Sequence, residues 1–110
     1  LGRALSLRYG LDLRSVNANW YRNGQDSVAW HGDNSGRVAD TTVVAIVSLG
    51  APRRFMLRAR GGGPSTRVVV GPGDLLVMGG TCQRTFDHAI PKMANAGPRI
   101  SLMFREPDIF

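Results

Sequence analysis

The run Thr41–Leu49 (TTVVAIVSL) constrains the fold more than any other stretch of this chain. It is β-branched and nearly continuous, the pattern of a central strand covered on both faces. Gly50-Ala51-Pro52 stops it, since proline offers no ladder donor and glycine no side chain to pack. The same punctuation recurs downstream. Arg53–Arg58 and Arg67–Val70 read as strands joined across Gly61-Gly62-Gly63-Pro64. Gly71-Pro72-Gly73-Asp74 turns the chain into Leu75–Met78, a buried strand closed by Gly79-Gly80. Thr85–Ile90 is strand-like, and Arg99–Arg105 (RISLMFR) alternates as the last strand. Upstream, residues 16–21 are extended, Asn23-Gly24 is a tight-turn signal and Ser27–His31 a short strand. Residues 16–31 are therefore expected to form a hairpin. Leu1–Leu13 keeps no period and reads as the tail of a strand. No long window carries a helical stripe, so the expected fold class is all-β, a sandwich or small barrel.

At 110 residues the chain is expected to be a single domain over residues 1–110, enough for one core. It opens without methionine, mid-pattern, as an N-terminally truncated fragment would. No apolar run reaches the roughly 18 residues of a membrane span, and Leu1–Gly10 lacks the apolar centre of a signal peptide. Its one cysteine, Cys82, has no partner for an internal disulfide and reads as a partly buried thiol. A cytoplasmic monomer with no membrane association is the expectation. The net charge is +6, and all but one of the 14 basic residues are arginine. Such a balance suits polyanions; an arginine bias in composition explains it equally well. Arg53, Arg54, Arg58, Arg60 and Arg67 fall on one hairpin, either a patch that tracks phosphates or a charged solvated edge. The glycine run is no phosphate loop, because no Gly-Lys-Ser/Thr follows it. Trp20 and Trp30 read as core packing.

Only two histidines are present. His31 stands two residues before Asp33, and on extended backbone such residues project to one face. With the distant His88 they form a two-imidazole, one-carboxylate set, which suits ferrous iron, or manganese in its place, with open positions. Zinc is less suited, since no further histidine or cysteine closes a four-ligand site. Such an open site suits a redox enzyme better than a structural ion, and an iron oxygenase commonly draws its electrons from a 2-oxoacid, whose far carboxylate needs a cationic clamp. Arg99 and Arg105 bracket the last strand and face one side of it, where a guanidinium fork matches a carboxylate. A solvated strand edge is the other reading of that pair.

The order Asn19-Trp20-Tyr21, His31-Gly32-Asp33, His88 and Arg99-Ile100-Ser101-Leu102-Met103-Phe104-Arg105 resembles the signature of the AlkB-type 2-oxoglutarate/iron(II) dioxygenases. Gly71–Gly80 also resembles that family's Gly-Asp turn and strand. The resemblance implies a double-stranded β-helix (jelly roll), with Fe(2+) held by His31, Asp33 and His88. It implies 2-oxoglutarate bound by Arg99 and Tyr21 at its distal carboxylate, with Asn19, Ser101 and Arg105 along it, and O2 as co-reactant. The implied activity is oxidative dealkylation of N-alkylated bases: the alkyl carbon is hydroxylated, and the hemiaminal releases an aldehyde. A duplex base cannot reach such a pocket, so the expected partner is alkylated single-stranded or flipped-out nucleic acid.

Three positions depart from the family pattern. Ser101 stands where asparagine is usual, and its hydroxyl still offers one hydrogen bond. Ser35 occupies a place near the target base that is often acidic. Before Asn19 the only aromatic is Tyr9, where the family builds a nucleotide-gripping lid. The same oxygenase chemistry on a protein or small molecule, and a non-catalytic jelly-roll binding module, are the competing readings.

Overall fold

The computed structural model describes residues 1–31, 43–79 and 82–106. Two four-stranded antiparallel sheets face each other. The first runs β1 (Ser15–Tyr21), β8 (Arg99–Arg105), β3 (Val44–Gly50) and β6 (Leu75–Met78). The second runs β2 (Val28–His31), β7 (Phe86–Ile90), β4 (Arg53–Ala59) and β5 (Ser65–Val70). Successive strands mostly alternate between the sheets, and this interleaving makes the chain a double-stranded β-helix. The all-β expectation from the strand pattern holds, and the jelly roll that the resemblance implies is the fold observed.

The apolar run forms β3, an interior strand paired with both β8 and β6. Val44, Ala45 and Ile46 are buried on it, while Leu49 near its end is 43% exposed; Thr41 and Thr42 lie outside the described residues. Alternate residues of a strand face opposite ways. Val44 and Ile46 therefore meet Tyr21, Phe55, Val70 and Ile90 between the sheets. Ala45 and Phe104 point outward and are covered by Leu5 and Leu13. β6 is an edge strand with Leu75 half exposed, so the reading of Leu75–Met78 as buried holds only at its end, where Met78 is covered.

Leu5 belongs to α1 (Gly2–Tyr9), which corrects the reading of Leu1–Leu13 as the tail of a strand. At eight residues the helix is too short to stand alone, and too short to show a helical stripe in sequence. Packing holds it: Leu5 and Leu13 are buried, and the Leu13 N–H donates to Ser6 Oγ at 2.8 Å. Gly10 ends it in the left-handed conformation at φ 68°, where a side chain would be strained.

The hairpin expected over 16–31 does not form. β1 pairs with β8 and β2 with β7, in different sheets. Asn23 does make a local turn, its Oδ1 accepting the Gln25 N–H at 2.9 Å. That turn docks instead on the β7–β8 connection, where Gly24 N–H donates to the Ala96 carbonyl and Met93 N–H to the Gly24 carbonyl. A Cβ at Gly24 would collide with the Met93 carbonyl. Close approach, rather than hairpin geometry, is what demands glycine here. Trp20 is also corrected: it is 69% exposed on the outer face of the first sheet. Trp30 is half-buried beneath the Arg58 guanidinium, 4.1 Å from its ring centroid.

Candidate metal and cosubstrate site

β2 and β7 run antiparallel with His31 directly opposite His88. Directly opposed residues share a face, and the two rings approach to 4.3 Å between centroids, tilted by 55°. His31 Nδ1 lies 2.8 Å from the Ala29 carbonyl oxygen. A carbonyl only accepts, so this bond requires the proton on Nδ1 and leaves the Nε2 lone pair free to ligate. His88 is buried and stacked on Phe55, with ring planes 14° apart. Together the rings supply two nitrogen donors with little freedom to reorient. Asp33, the third ligand read from the sequence, lies outside the described residues, as does Ser35. Among the described residues no group of three or more His, Cys, Asp or Glu could hold a metal. The two imidazoles themselves fit the iron(II) donor set, which wants neutral nitrogen ligands on one side of the ion.

A cavity of about 400 Å³ lies between the sheets. His31 and His88 line it from the second sheet; Asn19, Tyr21, Arg99, Ser101 and Arg105 line it from the first. The register explains the grouping: Asn19 faces Ser101 and Tyr21 faces Arg99 across the β1–β8 ladder. The described members of the metal and cosubstrate sets thus converge on one space.

Arg99 is 2% exposed. Its Nε donates to Ser48 Oγ at 2.9 Å, and its Cζ sits 4.9 Å from the Tyr21 ring centroid. Its Nη1 is buried with no hydrogen-bond partner among the described residues. Burial pulls the guanidinium below the ordinary arginine value, while Tyr21 beside it acts the other way. A buried cation with a bare donor asks for an anion. The distal carboxylate of a 2-oxodicarboxylate answers that demand, so the pocket fits 2-oxoglutarate.

Ser48 and Asn17 were missed in sequence. Ser48 is a lone polar residue in an otherwise apolar strand, buried at 1% exposure and paired with Ser101. That interruption was the available signal. Asn17 continues the alternation Asn19, Tyr21 on the inner face of β1. With its amide oxygen turned toward the guanidinium, it accepts from Arg105 Nη1 at 3.3 Å.

The arginine hairpin divides. Arg53 is fully buried, because its guanidinium donates to the backbone carbonyls of Asn23, Asp26 and Pro91. Its place among surface nucleic-acid contacts is therefore withdrawn. Arg54 and Arg58 share the outer face of β4 and are half-buried, while Arg60 pairs with Asp87 at 3.4 Å. Cys82 is half-buried and burial pushes its thiol up, which makes it a poor nucleophile.

The family model described as the 2OG-Fe(II) oxygenase superfamily matches residues 5–105. The chain belongs to that superfamily. Within it the chain is of the AlkB type. "Alpha-ketoglutarate-dependent dioxygenase alkB homolog 3" of Bos taurus is 34% identical over 106 residues, covering 87% of this chain and 37% of that protein. "DNA oxidative demethylase ALKBH2" of Arabidopsis thaliana is 32% identical over 120 residues, covering 87% and 38%. The chain thus spans well under half the length of these curated relatives. Among solved structures, OsALKBH1 superposes with a TM-score of 0.67 at 20% identity, over 83% of this chain and 47% of that one. The Drosophila melanogaster CENP-C cupin domain gives 0.60 at 10% identity, over 84% and 61%. Both likenesses speak to the jelly roll alone. No helix among the described residues is long and apolar enough to cross a membrane.

Proposed function

We propose that this domain binds iron(II) through His31, Asp33 and His88 and 2-oxoglutarate through Arg99, Tyr21, Asn19, Ser101 and Arg105. With O2 it dealkylates N-alkylated bases of single-stranded or flipped-out nucleic acid, acting as a cytoplasmic monomer. The observation that carries the reading is the cavity shared by the facing imidazoles and by Arg99 Nη1, which is buried with no partner among the described residues.

When bound, the metal supplies oxygen activation, with 2-oxoglutarate oxidised to succinate and carbon dioxide. The chain's own residues set where that happens. The Ala29 carbonyl holds the His31 ring by its Nδ1–H, which leaves Nε2 to ligate. Arg99 and Tyr21 hold the far carboxylate, and Ser48 keeps the Arg99 fork in place. Ser101 donates its hydroxyl to the cosubstrate, and Arg105, held by Asn17, lies along it. The apolar wall of Val28, Ile46 and Ile90 limits water beside the reacting carbon.

The nucleic-acid part rests on the relatives' names and on the charge of the chain. Arg54, Arg58 and Arg60 would follow the phosphates, with Ser35 near the base. A methylated single-stranded oligonucleotide should stimulate succinate formation and lose its methyl group, and removing one phosphate contact should flatten the salt dependence of its binding by about one unit of slope. Turnover that ignores the oligonucleotide would refute the substrate assignment.

A further inference from the structure

Arg53 and Arg99 are the two largest fully buried side chains among the described residues. They come from different sheets and face the same phenol ring. Arg53 Cζ lies 5.2 Å and Arg99 Cζ 4.9 Å from the Tyr21 centroid. None of the described salt bridges reaches either of them. Two buried cations around one ring, with no carboxylate paired to them, is an arrangement that needs a reason.

The partners of Arg53 supply one. Its Nη1 donates to the Asn23 carbonyl at 3.3 Å, and its Nη2 to Asp26 at 2.7 Å and Pro91 at 2.8 Å. Asn23 and Asp26 belong to the crossover that leads from Tyr21 on β1 into β2. Pro91 is the first residue after β7. One side chain therefore ties together the segment following Tyr21, the entrance to the His31 strand and the exit from the His88 strand. Its guanidinium also presses on the ring whose phenol faces the cavity. Arg53 does not line that cavity, so whatever it contributes passes through Tyr21.

We propose that Arg53 is a positioning residue for the cosubstrate. Braced on three carbonyls, it fixes the Tyr21 ring against Arg99, so that phenol and guanidinium stand preset for the distal carboxylate of a 2-oxodicarboxylate. Preorganisation of this kind raises affinity by removing the ordering cost at binding. The proposal rests on the reading of the cavity as a 2-oxoglutarate site.

The test separates the distal carboxylate from everything else the ligand offers. Calorimetric dissociation constants would be measured on the manganese-loaded chain for 2-oxoglutarate and for 2-oxovalerate, which carries a methyl group in place of the far carboxylate. Wild type should prefer 2-oxoglutarate. Arg53→Met should cut that preference by about ten-fold or more, the scale of one charge-assisted hydrogen bond, by weakening 2-oxoglutarate alone. Equal weakening of both ligands, or none, would overturn the proposal, because a merely structural arginine does not discriminate between them. Should Arg53→Met fail to fold, Arg53→Lys decides. It keeps the charge but cannot bridge three carbonyls, and full retention of the preference would overturn the proposal as well. A wild type that binds both ligands alike would instead defeat the cosubstrate reading, and the role of Arg53 with it.

Discussion

Replacing Arg99 by methionine separates cosubstrate binding from metal binding and from folding. In the free protein Arg99 carries both gain and cost. It donates to Ser48 at 2.9 Å and lies on Tyr21, yet its Nη1 is buried without a partner among the described residues. A hydrogen bond to a charged group contributes about 1.5–3 kcal/mol, and a buried unsatisfied donor costs about 1–3 kcal/mol. Those terms nearly cancel, and methionine fills much of the same volume with a flexible apolar chain. The free Arg99→Met protein should therefore unfold within about 1 kcal/mol of wild type. The bound state differs, because removing one partner of a buried charge pair costs about 3–5 kcal/mol. That is a loss of two to three and a half decades of affinity at about 1.4 kcal/mol per decade. Thermal unfolding with and without ligands reads all three quantities. At one hundred times the wild-type dissociation constant, 2-oxoglutarate should stabilise wild type by about 2.7 kcal/mol. Arg99→Met should show almost none of this and keep the full stabilisation by manganese. A variant that still responds to 2-oxoglutarate, or that loses both responses together, would refute the reasoning.

Other positions make sharper statements about the fold. Gly24→Ala should destabilise the chain by several kcal/mol in urea titration, because the new Cβ meets the Met93 backbone and backbone there cannot yield cheaply. Trp20→Ser should change stability by no more than about 0.5 kcal/mol, since Trp20 is 69% exposed and exposed positions tolerate change; a larger loss would mean that it packs on something. Arg58→Ala should shift Trp30 fluorescence, as the cation lying 4.1 Å from its ring is removed. Asp26 is held well below the usual carboxylate range, first by the hydrogen bond from the Arg22 side chain. Its contribution is present above the unfolded carboxylate value of about 3.9 and lost as pH falls through the lower folded value. Any difference in melting temperature between wild type and Asp26→Asn should therefore shrink on acidification.

Which of these features could be read from the chain depends on how local their causes are. The strands could, because β-branched runs and Gly/Pro breaks act over a few residues. So could the common face of Arg99 and Arg105, a matter of strand period alone. The facing of His31 and His88 was legible as a ligand set, although the strand pairing that produces it is long-range. The Asn23-Gly24 turn misled because its signal is local and correct, while its destination is not. The turn docks on Met93 and Ala96, and no short-range rule encodes that. Arg53 misled similarly. Strand alternation puts it on the inner face with Phe55, opposite Arg54 and Arg58, but the three carbonyls that let a guanidinium be buried there come from distant segments. α1 escaped notice because eight residues hold too few apolar positions to set a period, and tertiary cover stabilises it instead.

The central claim is that the paired histidines carry the chemistry. Succinate formation from 2-oxoglutarate, with added iron(II) and oxygen, measures it most directly in wild type and in His31→Ala. Wild type should turn over and His31→Ala should fall to background while still binding 2-oxoglutarate at the Arg99 end of the cavity. Equal succinate from both proteins would contradict the account.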